Sequence, residues 1–200
     1  IQFKKQIKDE DIIVWGLSIW TAAAVDFAWR SEFDKMILIS PLSSRYDMSS
    51  KMFGFPIQKL FFRKNTFTTI DTVKYFSQSA LIIHGNTDEV IPFEQWQAVY
   101  DNFGIDNDKW NEKYFIELDN FGHNWIIHHY WSAFEWKILE FIESWKIKSE
   151  TNIFKITKEN YSEWEKHSNA YKNVFKADLK RDDSITKFVN SDISFNDKSY

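Results

Sequence analysis

Residues 12–26 read IIVWGLSIWTAAAVD, and the fold turns on how this stretch is understood. Ile12, Ile13 and Val14 form a short apolar, β-branched run suited to a buried strand. The chain then turns through Gly16-Leu17-Ser18-Ile19-Trp20 and continues as Thr21, Ala22, Ala23, Ala24 and Val25, mostly small residues able to form a helix packed closely on a sheet. A strand, a sharp turn at a serine and a helix together hold a hydroxyl exposed above a parallel sheet, near a helix N-terminus. Gly16, without a Cβ, permits the tight approach of such a turn.

Downstream segments extend the pattern. Met36-Ile37-Leu38-Ile39 is a second continuous apolar run, stopped by Ser40-Pro41. Two such strands separated by a helix make a parallel βαβ unit. Ala80 to His84 reads as a third strand, followed by Gly85-Asn86-Thr87-Asp88 and by a helix from Phe93 to about Phe103. Tyr114 to Leu118 is a fourth, ending in Asp119-Asn120-Phe121-Gly122-His123. The next helix, about Tyr130–Ile147, places Trp131, Phe134, Ile138, Phe141 and Trp145 on one face as core residues. The class is therefore α/β, a mostly parallel sheet flanked by helices. Residues 1–148 are expected to form the domain, with a short cap-like insertion at about 43–78 that is rich in Phe and Met. Residues 149–200 read as a charged, helical and partly disordered tail whose partner the residues do not identify.

Composition narrows the function. The 200 residues carry a net charge of −4, which gives no broad attraction to nucleic acid or anionic membrane. With no cysteine, disulfides, thiolate chemistry and cysteine-ligated zinc are excluded, which is compatible with a cytoplasmic location. No apolar run reaches the roughly 18 residues of a membrane helix. No metal site is expected either, since His128 and His129 are an adjacent pair without ligand spacing.

In open parallel sheets, ligands and reactive groups gather at the carboxyl ends of strands. Ser18 follows the first strand, Asp88 the third and His123 the fourth. Hydroxyl, carboxylate and imidazole are the groups that nucleophilic acyl transfer requires: the imidazole takes the serine proton, and the carboxylate sets its tautomer. His84 reads as a packing or hydrogen-bonding residue of the Asp88 loop, His167 as part of the tail, and Asp71, Asp101 and Asp106 as solvated turn residues. Ser40, Ser43 and Ser44 lie beside the site and are not nucleophile candidates.

From about Ile12 to Trp145 the chain resembles the α/β-hydrolase superfamily, in which the triad follows the order Ser, Asp, His. GLSIW is similar to the nucleophile elbow, LIIHGNTDEVIPF to the acid-bearing segment and ELDNFGHN to the Gly-His that closes the triad. Thr21-Ala22-Ala23 and Ser40-Pro41-Leu42 are similar to small serine hydrolases related to prolyl-oligopeptidase-like esterases and acyl-protein depalmitoylases. The resemblance implies hydrolysis of an acyl ester or thioester, on a small molecule or an acylated protein, with no cofactor. It implies Ser18 as nucleophile, His123 as base, Asp88 as its orienting partner and the Ile19 N–H as an oxyanion donor. The alternative is a catalytically inactive hydrolase-like binding domain. A nucleotide-binding domain is disfavoured by the missing Gly-rich phosphate loop.

Two departures from the family pattern stand out. Trp20 occupies a position where the family has a small residue, and is expected to press on the neighbouring strand or displace the helix. Trp96 likewise stands where Gly is common, and Trp totals 10 against 5 Gly. One hypothesis covers both: some of these tryptophans are glycine codons of a variant genetic code, an idea that ordinary UGG triplets at 20 and 96 would end. The second departure is that the strands and second oxyanion loop that precede the elbow in the family do not precede it here. The chain is therefore expected to be the C-terminal part of an α/β-hydrolase fold.

Overall fold

A computed structural model describes residues 12–44, 68–107, 112–124, 126, 131–144, 151–166 and 169–170. Its strands are β1 (Ile13–Leu17), β2 (Lys35–Ile39), β3 (Ser79–Gly85), β4 (Lys113–Leu118) and β5 (Ile153–Ile156). Its helices are α1 (Trp20–Trp29), α2 (Thr69–Val73), α3 (Glu94–Asn102) and α4 (Trp131–Glu143). The strands lie in sequence order across one sheet, and each neighbouring pair is parallel.

Continuous apolar strands follow from burial on both faces. Alternate residues sort to opposite sides, because successive Cβ atoms point to opposite faces of a strand. Ile37, Ile39, Leu81, Ile83, Ile116 and Leu118 pack toward Phe134, Ile138 and Phe141 of α4. Met36, Leu38, Ala80, Ile82 and Phe115 pack toward Val25 and Ala28 of α1, Val73 of α2 and Val99 of α3. β2 begins one residue earlier than expected, at Lys35, whose ammonium is buried. Lys35 Nζ donates to the Ile142 carbonyl at 2.8 Å and lies 3.2 Å from Asp34 Oδ2. That carbonyl belongs to the last turn of α4, where backbone acceptors lack intrahelical partners.

Two expectations need correction. Residues 149–200 are not all tail, because Ile153–Ile156 extends the sheet past residue 148 by pairing with β4. The segment escaped a reading based on apolar runs because only alternate residues are inside: Phe154 and Ile156 are buried while Ile153 and Lys155 face outward. Of the helical tail expected beyond it, residues 161–166 are helical, and Tyr161 and Trp164 pack on the α4-side core. Trp20 does not press on a neighbouring strand; it is 71% exposed at the start of α1. Trp96 is integrated differently, its ring stacked on Phe115 at 3.5 Å between centroids. Most of the expected insertion, residues 45–67, lies outside the described residues.

Candidate active site

The site is built where β1, β2, β3 and β4 end on one rim of the sheet. Ser18 directly follows β1 with φ at +54°, a left-handed conformation that a serine adopts rarely. Its N–H continues the ladder by donating to the Ile39 carbonyl at 2.8 Å. Its own carbonyl accepts the Thr21 N–H at 3.0 Å and the Thr21 hydroxyl at 2.6 Å. The Thr21 hydroxyl oxygen in turn accepts the Leu42 N–H at 3.0 Å, tying the turn to the chain leaving β2. Gly16 makes this turn possible: a Cβ there would stand 2.7 Å from Thr21 Cα and 2.9 Å from Ala24 Cβ. Ile19 occupies the N-cap of α1, so its amide is among those a helix leaves without an intrahelical acceptor.

Asp88 sits in the turn after β3 with its carboxylate fully buried. Oδ1 accepts the amides of Val90 at 2.9 Å and Ile91 at 2.7 Å. Oδ2 accepts the Ser40 hydroxyl at 2.9 Å and His123 Nδ1–H at 2.7 Å. Burial opposes ionisation, but hydrogen bonds from His123, His84 and the Ile91 amide outweigh it and hold the carboxyl well below its ordinary value. A carboxylate only accepts, so the imidazole proton resides on Nδ1. The Nε2 lone pair then faces Ser18 Oγ, which donates to it at 2.8 Å. Hydroxyl, imidazole and carboxylate thus form one unbroken line of hydrogen bonds.

The loop carrying His123 is fastened to the loop carrying Asp88. The Asn86 carboxamide accepts the Asn120 N–H at 2.7 Å and donates to Asp119 Oδ1 at 2.6 Å and Glu117 Oε1 at 3.1 Å. Lys155 on β5 meets the same two carboxylates, at 2.7 Å from Glu117 and 3.4 Å from Asp119. The Thr87 amide donates to the Phe121 carbonyl at 3.3 Å, and the His123 amide to Glu89 Oε2 at 3.1 Å. At Gly122 a Cβ would come within 2.6 Å of Glu89 Oε2, so a side chain there would make that carboxylate shift.

Ser18, Asp88 and His123 are therefore brought together, and Ile19 lies beside Ser18. His84 is buried in the Asp88 loop, its Nε2–H donating to the Ile91 carbonyl at 3.0 Å. Asp71, Asp101 and Asp106 are exposed, and Ser43 is engaged with Gln95. His128, His129 and His167 lie outside the described residues. Among the described residues, no group of three or more acidic or histidine side chains could hold a metal ion, and no helix is long and apolar enough to cross a membrane. Asn86 and Glu89, and the hydroxyl role of Thr21, are not legible in the sequence, because their partners come from other loops; the Gly-Asn-Thr-Asp turn signal is the one local trace of Asn86.

Over 95 residues the chain is 37% identical to Alpha/beta hydrolase domain-containing protein 17B of Homo sapiens, a match covering 48% of this chain and 31% of that protein. It is 38% identical to Alpha/beta hydrolase domain-containing protein 17C of Xenopus tropicalis, covering 48% of this chain and 29% of that one. The chain is similar in sequence to α/β-hydrolase domain-containing proteins and has the α/β-hydrolase fold. The match spans under a third of the length of either relative. No protein-family model matches the chain. Among solved structures, the Pyrococcus horikoshii acylaminoacyl peptidase superposes with a TM-score of 0.53 at 17% identity, over 80% of this chain and 27% of that one. That likeness concerns the fold: a parallel sheet with helices on both faces.

Proposed function

We propose that this α/β-hydrolase chain carries the catalytic groups of a serine hydrolase that cleaves an acyl ester or thioester through an acyl-enzyme. The observation that carries the reading is the line from Ser18 Oγ to His123 Nε2 at 2.8 Å and from His123 Nδ1 to Asp88 Oδ2 at 2.7 Å. Ser18 Oγ attacks the acyl carbonyl carbon while its proton passes to His123 Nε2. The Ile19 amide donates to the oxyanion as the carbonyl oxygen becomes tetrahedral. Collapse expels the alcohol or thiol, which leaves with the proton from Nε2. A water then gives a proton to Nε2 and attacks the acyl carbon; the Oγ–acyl bond breaks as Ser18 Oγ takes that proton back from Nε2, and the carboxylic acid leaves. Asp88 stays ionised throughout and stabilises the imidazolium.

Ile19, next to Ser18, and Val90, in the Asp88 loop, are exposed apolar side chains that an acyl chain could cover. The substrate is a small acyl ester or an acylated protein. A fluorophosphonate probe on the full-length protein tests the reading: labelling at Ser18 is expected, with loss in Ser18→Ala and His123→Ala. A wild-type protein that binds acyl ligands yet resists the probe would instead be a hydrolase-like binding domain.

A further inference from the structure

We infer that Ser40 is a positioning residue for the same reaction, acting through Asp88; the inference rests on the serine-hydrolase reading of the site. Ser40 ends β2 as Ser18 ends β1, and the two follow register partners, Leu17 and Ile39. Its N–H extends the next ladder by donating to the Ile83 carbonyl at 2.8 Å. Like Ser18, it has a positive φ, +47°. That conformation favours glycine, and the following Pro41 restricts the backbone further. Ser40 is also completely buried, so its hydroxyl gains nothing from water. A glycine would fit the backbone with less strain. What a glycine cannot supply is the hydroxyl proton that Ser40 delivers to Asp88 Oδ2 at 2.9 Å.

Oδ2 is the oxygen that also takes the His123 Nδ1 proton. A carboxylate oxygen offers two in-plane lone pairs. Ser40 and His123 occupy those of Oδ2, while the Val90 and Ile91 amides occupy Oδ1. The carboxylate is therefore held on both oxygens and cannot turn about its Cβ–Cγ bond. His84 Nε2–H, 3.4 Å away and shared with the Ile91 carbonyl, is a weaker third donor to Oδ2, and without the Ser40 hydroxyl that oxygen is free to move toward it. Sharing with that donor draws the oxygen off the His123 line, and the imidazole loses its fixed orientation toward Ser18. The two left-handed serines thus act at the two ends of one chain of hydrogen bonds, one reacting and the other aiming.

The test uses full-length protein with Ser40→Gly and Ser40→Ala, assayed for hydrolysis of p-nitrophenyl acetate, fluorophosphonate labelling rate and thermal unfolding. Ser40→Gly relaxes the backbone and removes the hydroxyl; Ser40→Ala removes the hydroxyl alone. Both are expected to lower kcat and the labelling rate by about tenfold, with KM unchanged, as for loss of one charge-assisted hydrogen bond felt in the transition state. Ser40→Gly is expected to unfold no earlier than wild type. Wild-type kcat in Ser40→Gly, or a rate loss only in a variant that has also lost its cooperative unfolding, would show Ser40 to be merely a turn residue. A wild-type protein left unlabelled at Ser18 would overturn the serine-hydrolase reading and the role of Ser40 with it, whereas labelled wild type beside equally labelled variants overturns the role of Ser40 alone.

Discussion

Replacing Gly16 by alanine adds a single methyl group, and its consequence can be followed to the Ser18 hydroxyl. An ideal Cβ at Gly16 stands 2.7 Å from Thr21 Cα, 2.9 Å from Ala24 Cβ and 3.2 Å from Thr21 N, against 3.4 Å or more for ordinary contact. Two of the three obstacles are backbone atoms of α1, which no rotamer change can move. The helix must therefore retreat from β1 by roughly 0.7 Å. Overpacking of this kind costs ~1–3 kcal/mol, less up to ~1 kcal/mol gained from a stiffer unfolded chain, so a net loss of about 1–2 kcal/mol is expected. The rate should fall further than the stability suggests. Ser18 is bonded to Thr21 through its own carbonyl, so the turn travels with the helix while His123, on a different loop, does not. A misplacement near 1 Å costs on the order of 10²-fold, so a 10- to 100-fold slower fluorophosphonate reaction is expected. Urea unfolding and labelling of full-length Gly16→Ala measure the two effects. A variant as stable and as reactive as wild type would refute the argument. So would one that is destabilised but labels at the wild-type rate, because Ser18 would then be independent of α1.

Other expectations follow from the same geometry. Asp88→Asn removes the charge that sets the His123 tautomer and should slow labelling by about 10³–10⁴-fold in a protein that still unfolds cooperatively. Because the folded Asp88 carboxyl lies below its ordinary value of 3.8, the stability it confers is complete above that pH and is lost as pH falls toward the folded value. Urea midpoints taken from about pH 5 down to pH 2 should therefore fall more steeply for wild type than for Asp88→Asn. The two unusual tryptophans should behave oppositely. Trp20→Ala, at a site 71% exposed, should change stability by no more than about 0.5 kcal/mol. Trp96→Ala breaks the 3.5 Å stack on Phe115 and should cost about 2 kcal/mol in the same chemical denaturation assay.

From its sequence alone this chain declared four strands, the helices after the first, third and fourth of them, and the three residue types placed at strand ends. Apolar continuity in Met36–Ile39 and Ala80–His84 reports burial on both faces, and burial on both faces belongs to parallel sheets. The Ser18 turn was legible because the glycine and the small residues around it are themselves local steric requirements. Tertiary structure alone decided the partners. Ser40, Asn86 and Glu89 are ordinary polar residues along the chain, and they matter because strand register carries them to Asp88 and the His123 loop. Strand β5 and the buried Lys35 were hidden for a related reason. Their environment comes from β4 in one case and the end of α4 in the other, and a side chain does not announce in its own neighbourhood which distant surface will cover it. Local periodicity encodes which face of a segment leaves water, whereas the hydrogen bonds that line up Ser18, His123 and Asp88 form between segments that only the folded sheet brings together.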